Sequence, residues 1–450
     1  MRENTPFPAP VPHGAASTEA LRGLSVLTTA EAHQARRQLL ADALKRTPAE
    51  QAASAARDGR TRQGSLLVMA PIRTDQYEPL KKVLAEIAKP PAGEDIELNP
   101  VIPFLKLRTV HFARLLLHAE SPSDDAPIPS VNGKPQVRGG PIPAKLLLAT
   151  DFDGPLQAHL EELLDVAGPG LDRVFAHCEG WPGHARRAAA LRFFRRHSVR
   201  TNVFYTSTQR RSVDQIRRED DLRRRIDAYL DAQAGKPGFP TDAVQVRERI
   251  IRFVKDEPEL AWARREPGPF PTPPIPRVIR DNLFLAIGVA LVAVLAVAGF
   301  VLSLVLPWPW LGITVALVAG LAAAGGAAWM YLLRLEKRDP EIVRGTVKEH
   351  AARLVQTEDR IIQNEMSSVL YIKEPLWFRR IVLWLVLAFL DFSARYQSVE
   401  GRLAGIPSIH FARWVMVDRG RRLVFFSNYD GSWESYLGDF VDKSPGGLTG

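Results

Sequence analysis

Apolar positions along this chain follow three rhythms. Ser65–Arg73 (SLLVMAPIR) is a continuous apolar run, which predicts a buried strand. Over Gln76–Ala88, Leu80, Val83, Leu84 and Ile87 recur at three- and four-residue spacing, which predicts an amphipathic helix ended by Pro90-Pro91. Val110–Glu120 and Ala144–Thr150 read as strands, separated by a long loop full of turn residues. Leu156–Val166 predicts a helix and Leu171–Cys178 a further strand. The resulting order, β-α-β-β-α-β, is that of a ferredoxin-like plait.

The third rhythm is uninterrupted. Leu283–Leu306 holds twenty-four residues without a charge, and Leu311–Leu333 is again uncharged. Each exceeds the ~20 residues that a helix needs to cross a bilayer core. Pro307-Trp308-Pro309-Trp310 breaks the helix between them and supplies interfacial tryptophans, so the pattern predicts a two-helix transmembrane hairpin. Gly320, Gly325 and Gly326 would allow its helices to approach closely. Arg277 and Arg280 precede the hairpin, and Arg334, Lys337 and Arg338 follow it. The positive-inside rule then places both soluble parts in the cytoplasm, at a bacterial inner membrane. A third run, Ile381–Leu390, has only ten residues and reads as a buried or interfacial helix.

Part of the chain repeats. Val110-His111-Phe112-Ala113-Arg114-Leu115 returns as Ile409-His410-Phe411-Ala412-Arg413-Trp414. Leu146–Gly154 returns as Leu423–Gly431, both ending in Asp-Gly. Two matched blocks in the same order point to a duplication. Ser367–Lys373 and Trp377–Tyr396 then supply the first strand and helix of a second plait. No fourth strand follows Val441, so this plait is expected to be incomplete, with the native chain continuing past Gly450. Both faces of the repeated strands are mostly apolar, which suggests that the two sheets pack on each other.

The whole is expected to be α+β, with two ferredoxin-like plaits separated by the hairpin. Residues 1–63 form a flexible N-terminal region, with a helix near Thr29–Lys45. The first plait takes 64–206, a basic helical segment and Pro-rich linker 207–280, the hairpin 281–334 and the second plait 335–450.

Composition narrows the classes. A 450-residue chain that is 46% apolar and 24% charged is not disordered throughout. The single cysteine, Cys178, excludes an internal disulfide and any multi-cysteine metal site within the chain. From Arg186 to Arg225 there are thirteen arginines against four acids, a surplus of nine that equals the net charge of the entire chain. This segment lies just before the membrane. Anionic lipid is therefore the more economical partner for Arg195, Arg196, Arg210, Arg211, Arg217, Arg218, Arg223, Arg224 and Arg225, and nucleic acid the poorer one. A solvated face paired with acidic neighbours explains the segment equally well.

Candidate chemistry sits in the repeat. His111 and His410 could be haem ligands or acid/base groups, or repeated structural histidines. Asp153 and Asp430 could be strand-end catalytic carboxylates, although a turn with an N-cap explains Asp-Gly more simply. His177–His184 contains several ligand types but reads as a strand end followed by a turn, and no metal site is expected. No Walker, Rossmann, Gly-x-Ser-x-Gly or His-Glu-x-x-His motif is present.

The blocks IHFARW and LVFFSNYDGSWESYLGDFV resemble those of a poorly characterised bacterial family of membrane-anchored proteins, over roughly Ser65–Thr208 and Glu358–Gly450. The plait arrangement is also similar to that of dye-decolourising peroxidases and related dimeric α+β barrels. That resemblance implies haem, with Asp153 or Asp430 as acid/base and His111, Arg114, His410 and Arg413 near the cofactor. The peroxidase motif Gly-x-x-Asp-Gly lacks its leading glycine here, since Asp151-Phe-Asp-Gly154 and Asn428-Tyr-Asp-Gly431 stand in its place. The primary expectation is a membrane-anchored, cytoplasm-facing binding, sensing or scaffolding module. The alternative is a haem-dependent peroxidase-like oxidoreductase.

Overall fold

The computed structural model describes residues 58, 61–88, 99, 101–118, 143–265, 279, 283–304, 310–338, 363–396, 401, 403 and 405–443. The helix expected near Thr29–Lys45, the loop between the second and third strands, the Pro-rich linker and the C-terminal tail lie outside the described residues.

The fold is α+β, with two antiparallel sheets in two compact units. The first unit contains β1 (Gln63–Pro71), α1 (Tyr77–Ile87), β2 (Val110–His118), β3 (Lys145–Asp153), α2 (Leu156–Phe175) and α3 (Arg187–His197). α4 (Val213–Gln233) and α5 (Ala243–Asp256) complete it. Its sheet has the order β1-β3-β2. One sheet face carries Leu66, Val68, Ala70, Leu146, Leu148 and Phe152 into a core with Leu80 of α1, Leu160, Leu164 and Leu171 of α2, and Phe193 and Phe194 of α3. Burying each such large side chain contributes roughly 1.5–3 kcal/mol.

Two expectations for this unit are corrected. Leu171–Cys178 is not a strand, because α2 continues through Gly168-Pro169-Gly170 to Phe175. Leu160, Leu163, Leu164, Ala167, Leu171, Val174 and Phe175 are all buried at helical spacing, and that packing outweighs the proline. The glycines permit close approach. A Cβ on Gly168 would stand 2.5 Å from the His184 ring, and one on Gly170 would run into the Val101 carbonyl oxygen. Among the described residues the sheet also has no fourth strand. Beside β1 there are isolated contacts: the bridge of Val68 to Ser198, with the Val199 N–H donating to the Leu67 carbonyl at 2.8 Å, and the bridge of Ile72 to Cys178, with the Glu179 N–H donating to the Pro71 carbonyl at 2.9 Å.

The second unit contains β4 (Val203–Thr206), α6 (Leu283–Ser303), α7 (Trp310–Arg338), β5 (Gln363–Tyr371), α8 (Leu376–Tyr396), β6 (Ile409–Val417), β7 (Arg422–Asp430) and α9 (Trp433–Lys443). Its sheet order is β4-β6-β7-β5. This sheet, expected to be incomplete, has four strands. The fourth comes from far earlier in the chain and pairs with β6 as Val203↔Trp414 through Thr206↔Phe411. β4 is extended by a hydrogen bond of 3.0 Å from Asn202 N–H to the Trp414 carbonyl and one of 2.7 Å from Met416 N–H to Asn202 Oδ1. Leu387 and Ala394 of α8 and Tyr436 of α9 pack on Tyr205, Ile409, Ala412, Phe425 and Tyr429.

Of the expected pair of spans, one is found. Among the described residues, one helix, Val315–Arg338 within α7, is long and apolar enough to cross a membrane. In α6 the apolar stretch is the shorter Ala286–Val301.

Candidate functional site

A β-bulge builds the same side-chain pair in each unit. Along β2, Val110 is opposite Phe152 and Phe112 is opposite Asp151, which leaves His111 as the extra residue. Along β6, Ile409 is opposite Tyr429 and Phe411 is opposite Asn428, which leaves His410 extra. A bulge re-aims a side chain. Here it turns each histidine to the end of the neighbouring strand, where the aspartate sits. His111 Nε2 lies 2.9 Å from Asp153 Oδ1, and His410 Nε2 lies 2.7 Å from Asp430 Oδ1. The following glycines, Gly154 and Gly431, have φ of +88° and +87°, a region costly for other residues. Neither aspartate is the N-cap expected of it: α2 starts after Pro155 with no side-chain cap, and at α9 it is Ser432 that accepts from the Ser435 N–H at 3.3 Å.

The two pairs differ in their surroundings. In the first unit Asp153 Oδ2 accepts the Val213 N–H at 2.7 Å. That amide is the first of α4, one of the donors a helix leaves unsatisfied, and the carboxylate also suits the positive end of the helix dipole. Ser212 caps the same turn by accepting from Gln215 N–H at 3.0 Å. Gln63, opposite Asp153 in the sheet, donates from Nε2 to the Arg211 carbonyl and accepts the Arg210 N–H at Oε1. The pair is closed, with side-chain exposures of 4% for His111 and 9% for Asp153. In the second unit Gln363 again stands opposite the aspartate, and it is exposed. There His410 is 30% and Asp430 43% exposed.

A second repeated arrangement lies behind the first. His159 Nε2 is 2.8 Å from Thr150 Oγ1, and its ring stacks on Phe152 with centroids 4.1 Å apart. In the other unit the Tyr436 hydroxyl donates to Ser427 Oγ at 2.8 Å, and its ring stacks on Tyr429 at 3.9 Å. Burial pushes the His159 imidazole down to about 3 and the Tyr436 phenol up to about 12. Sequence reasoning missed both residues. Their signal was position: each follows its strand hydroxyl, Thr150 or Ser427, by nine residues.

The structure therefore brings His111 to Asp153 and His410 to Asp430. Arg114 and Arg413 sit further along β2 and β6 and are buried. The Arg413 guanidinium lies 5.0 Å over the centre of the Phe426 ring, a cation–π contact. The His177–His184 stretch is a set of packing contacts. Cys178 is buried, which pushes its thiol up to about 12. Asp172 accepts from Trp181 Nε1 at 2.9 Å and from the His184 backbone at 2.7 Å. Among the described residues no group of three or more His, Cys, Asp or Glu side chains is placed to hold a metal ion.

The arginine-rich segment is largely paired within its own unit. Arg218 meets Asp58 and Asp214 and lies 4.5 Å over the Trp262 ring. Arg211 pairs with Glu219, Arg223 and Arg224 with Asp220, and Arg225 with Asp221 and Glu259. Arg195 donates to Gln157, and Arg217 donates to the Leu105 carbonyl.

These residues do not fit a haem site. Each histidine directs Nε2 to an aspartate of its own unit; of the two acid/base candidates, Asp153 is buried with both oxygens engaged, and Asp430, although half-exposed, is taken up by His410. What the arrangement does do is accept N–H donors: a carboxylate held by an imidazole, beside a glutamine, receives the start of a helix. No protein-family model, curated protein or solved structure matches this chain.

Proposed function

We propose that this chain is a membrane-anchored, cytoplasm-facing binding or scaffolding protein built from two plait-like α+β units, the first with a three-stranded sheet. One observation carries the binding part of this reading: the same His–Asp–Gln set is closed in one unit and open in the other. In the first unit it holds the beginning of α4 and is spent on structure. In the second, His410, Asp430 and Gln363 remain accessible. The partner such a set suits is a segment that presents unsatisfied backbone N–H groups, as a helix N-terminus does.

Membrane anchoring is supported by α7, whose apolar side chains stand exposed over a length sufficient to span the bilayer. In this reading α6 joins it as the second arm of a hairpin, and the flanking arginines keep both units in the cytoplasm. Anionic lipid adds a weaker contact through the arginine-rich segment, limited by the acids that already pair with it.

The test is fractionation of the full chain in cells, with labelling of engineered surface cysteines in each unit from either side of the membrane. Resistance to alkaline extraction with labelling from the cytoplasm alone is the expected result. Release into the soluble fraction would overturn the anchoring. A Soret band in the purified protein would instead revive the oxidoreductase reading.

A further inference from the structure

α8 carries apolar side chains on two opposite faces. Leu383, Leu387, Leu390 and Ala394 pack into the second core. Trp377, Ile381, Trp384, Leu385 and Phe389 face the other way and are between 42% and 67% exposed. Their spacing of four, three, one and four residues keeps them on one stripe of the helix. A continuous row of two tryptophans, a phenylalanine and two aliphatic residues is not an ordinary solvated face.

The stripe begins beside α7. The Phe378 ring lies against Tyr331 with centroids 5.0 Å apart, and Trp377 packs on Phe378 at 5.7 Å. Tyr331 stands three residues before Arg334, the first charge at the C-terminal end of the apolar run. Aromatic residues at that level mark the boundary between acyl chains and headgroups. α8 therefore starts where α7 emerges from hydrocarbon. Arg380, exposed at the border of the stripe, suits lipid phosphate.

We infer that α8 is an interfacial helix. Its Trp377–Phe389 face lies in the headgroup–acyl boundary of the bilayer that α7 crosses, while its other face carries the second sheet. The inference rests on the membrane-anchored reading and adds to it a surface, a depth and a ligand class, the phospholipid bilayer. Continuity with α7 selects lipid over a second copy of the chain.

The test uses the full chain in phospholipid nanodiscs with single cysteines labelled by an environment-sensitive fluorophore. Native Cys178, buried and with a raised thiol pKa, stays unlabelled. Labels go on Ile381→Cys and Leu385→Cys, on Leu321→Cys in α7 and on Glu434→Cys in α9; Trp384→Cys replaces either α8 variant if it misfolds. The expected result is a blue-shifted emission at 381 and 385 that loses intensity when lipids carrying a shallow quencher are introduced, with no such loss at 434. Water-like emission at 381 and 385 with quenching retained at 321 overturns the inference and leaves the anchor standing. Blue-shifted emission that lipid quenchers do not reach also overturns it, in favour of a covering protein surface. Absence of quenching at 321, tested with a quencher carried deep on the acyl chains, means that the membrane reading itself has failed.

Discussion

An imidazole buried away from any acid pays for protonation with its own desolvation. His159 is fully buried, bonded to a hydroxyl and stacked on Phe152, and its pKa falls from an ordinary 6.5 to about 3. Between these values the unfolded chain binds a proton that the folded one refuses. The stability of the first unit should thus be complete above about pH 6.5 and decline by a few kcal/mol as pH falls toward about 3. Hydrogen exchange of α2 amides, corrected for intrinsic rates, should accelerate through that window in the native chain. In His159→Gln, which keeps a partner for Thr150 and cannot titrate, the acceleration should shrink. Alternation along β2 singled out His111 but not its partner. Strict two-residue periodicity cannot register a bulge, and the bulge is what turns the ring toward Asp153.

At the scale of elements, the sequence misleads where local propensity and packing disagree. Gly168-Pro169-Gly170 reads as a break, yet α2 passes through it because its buried face spans both sides. Replacing Gly170 with Ala should cost about 1–3 kcal/mol, since the new methyl collides with the backbone of Val101. A thermal melt of the variant checks this. The strands and helices that recur in the repeat were legible, because periodicity reports burial on one face. What an aspartate at a strand end would touch was not, because α4 lies sixty residues further along. Asp153→Ala should destabilise the first unit by about 1–3 kcal/mol and loosen the first turn of α4, by removing the acceptor of the Val213 amide and the partner of His111. Asp430→Ala, at an exposed pair, should cost under about 1 kcal/mol. Denaturant unfolding of the two variants separates the cases.

For the whole molecule, the apolar runs and the charge distribution predict membrane spans and a basic segment. Arg211, Arg218, Arg223, Arg224 and Arg225 all have acidic partners; those three or four residues away on α4 follow from sequence spacing, whereas Arg218–Asp58 and Arg225–Glu259 depend on contacts that spacing does not show. Raising salt should therefore weaken binding to anionic vesicles only slightly and leave alkaline-resistant anchoring unchanged, as vesicle flotation would record. Nor could local pattern assign β4 to a sheet whose other strands begin 157 residues after it ends, at Gln363. That separation has a consequence during synthesis. At ~5–20 residues per second, a ribosome needs roughly 10–40 s after completing Thr206 to deliver Ile409, the first residue of β4's partner. β4 thus waits through the making of α6 and α7 before its edge exists. Its brevity, four residues, leaves little template for mispairing with neighbouring nascent chains in the meantime.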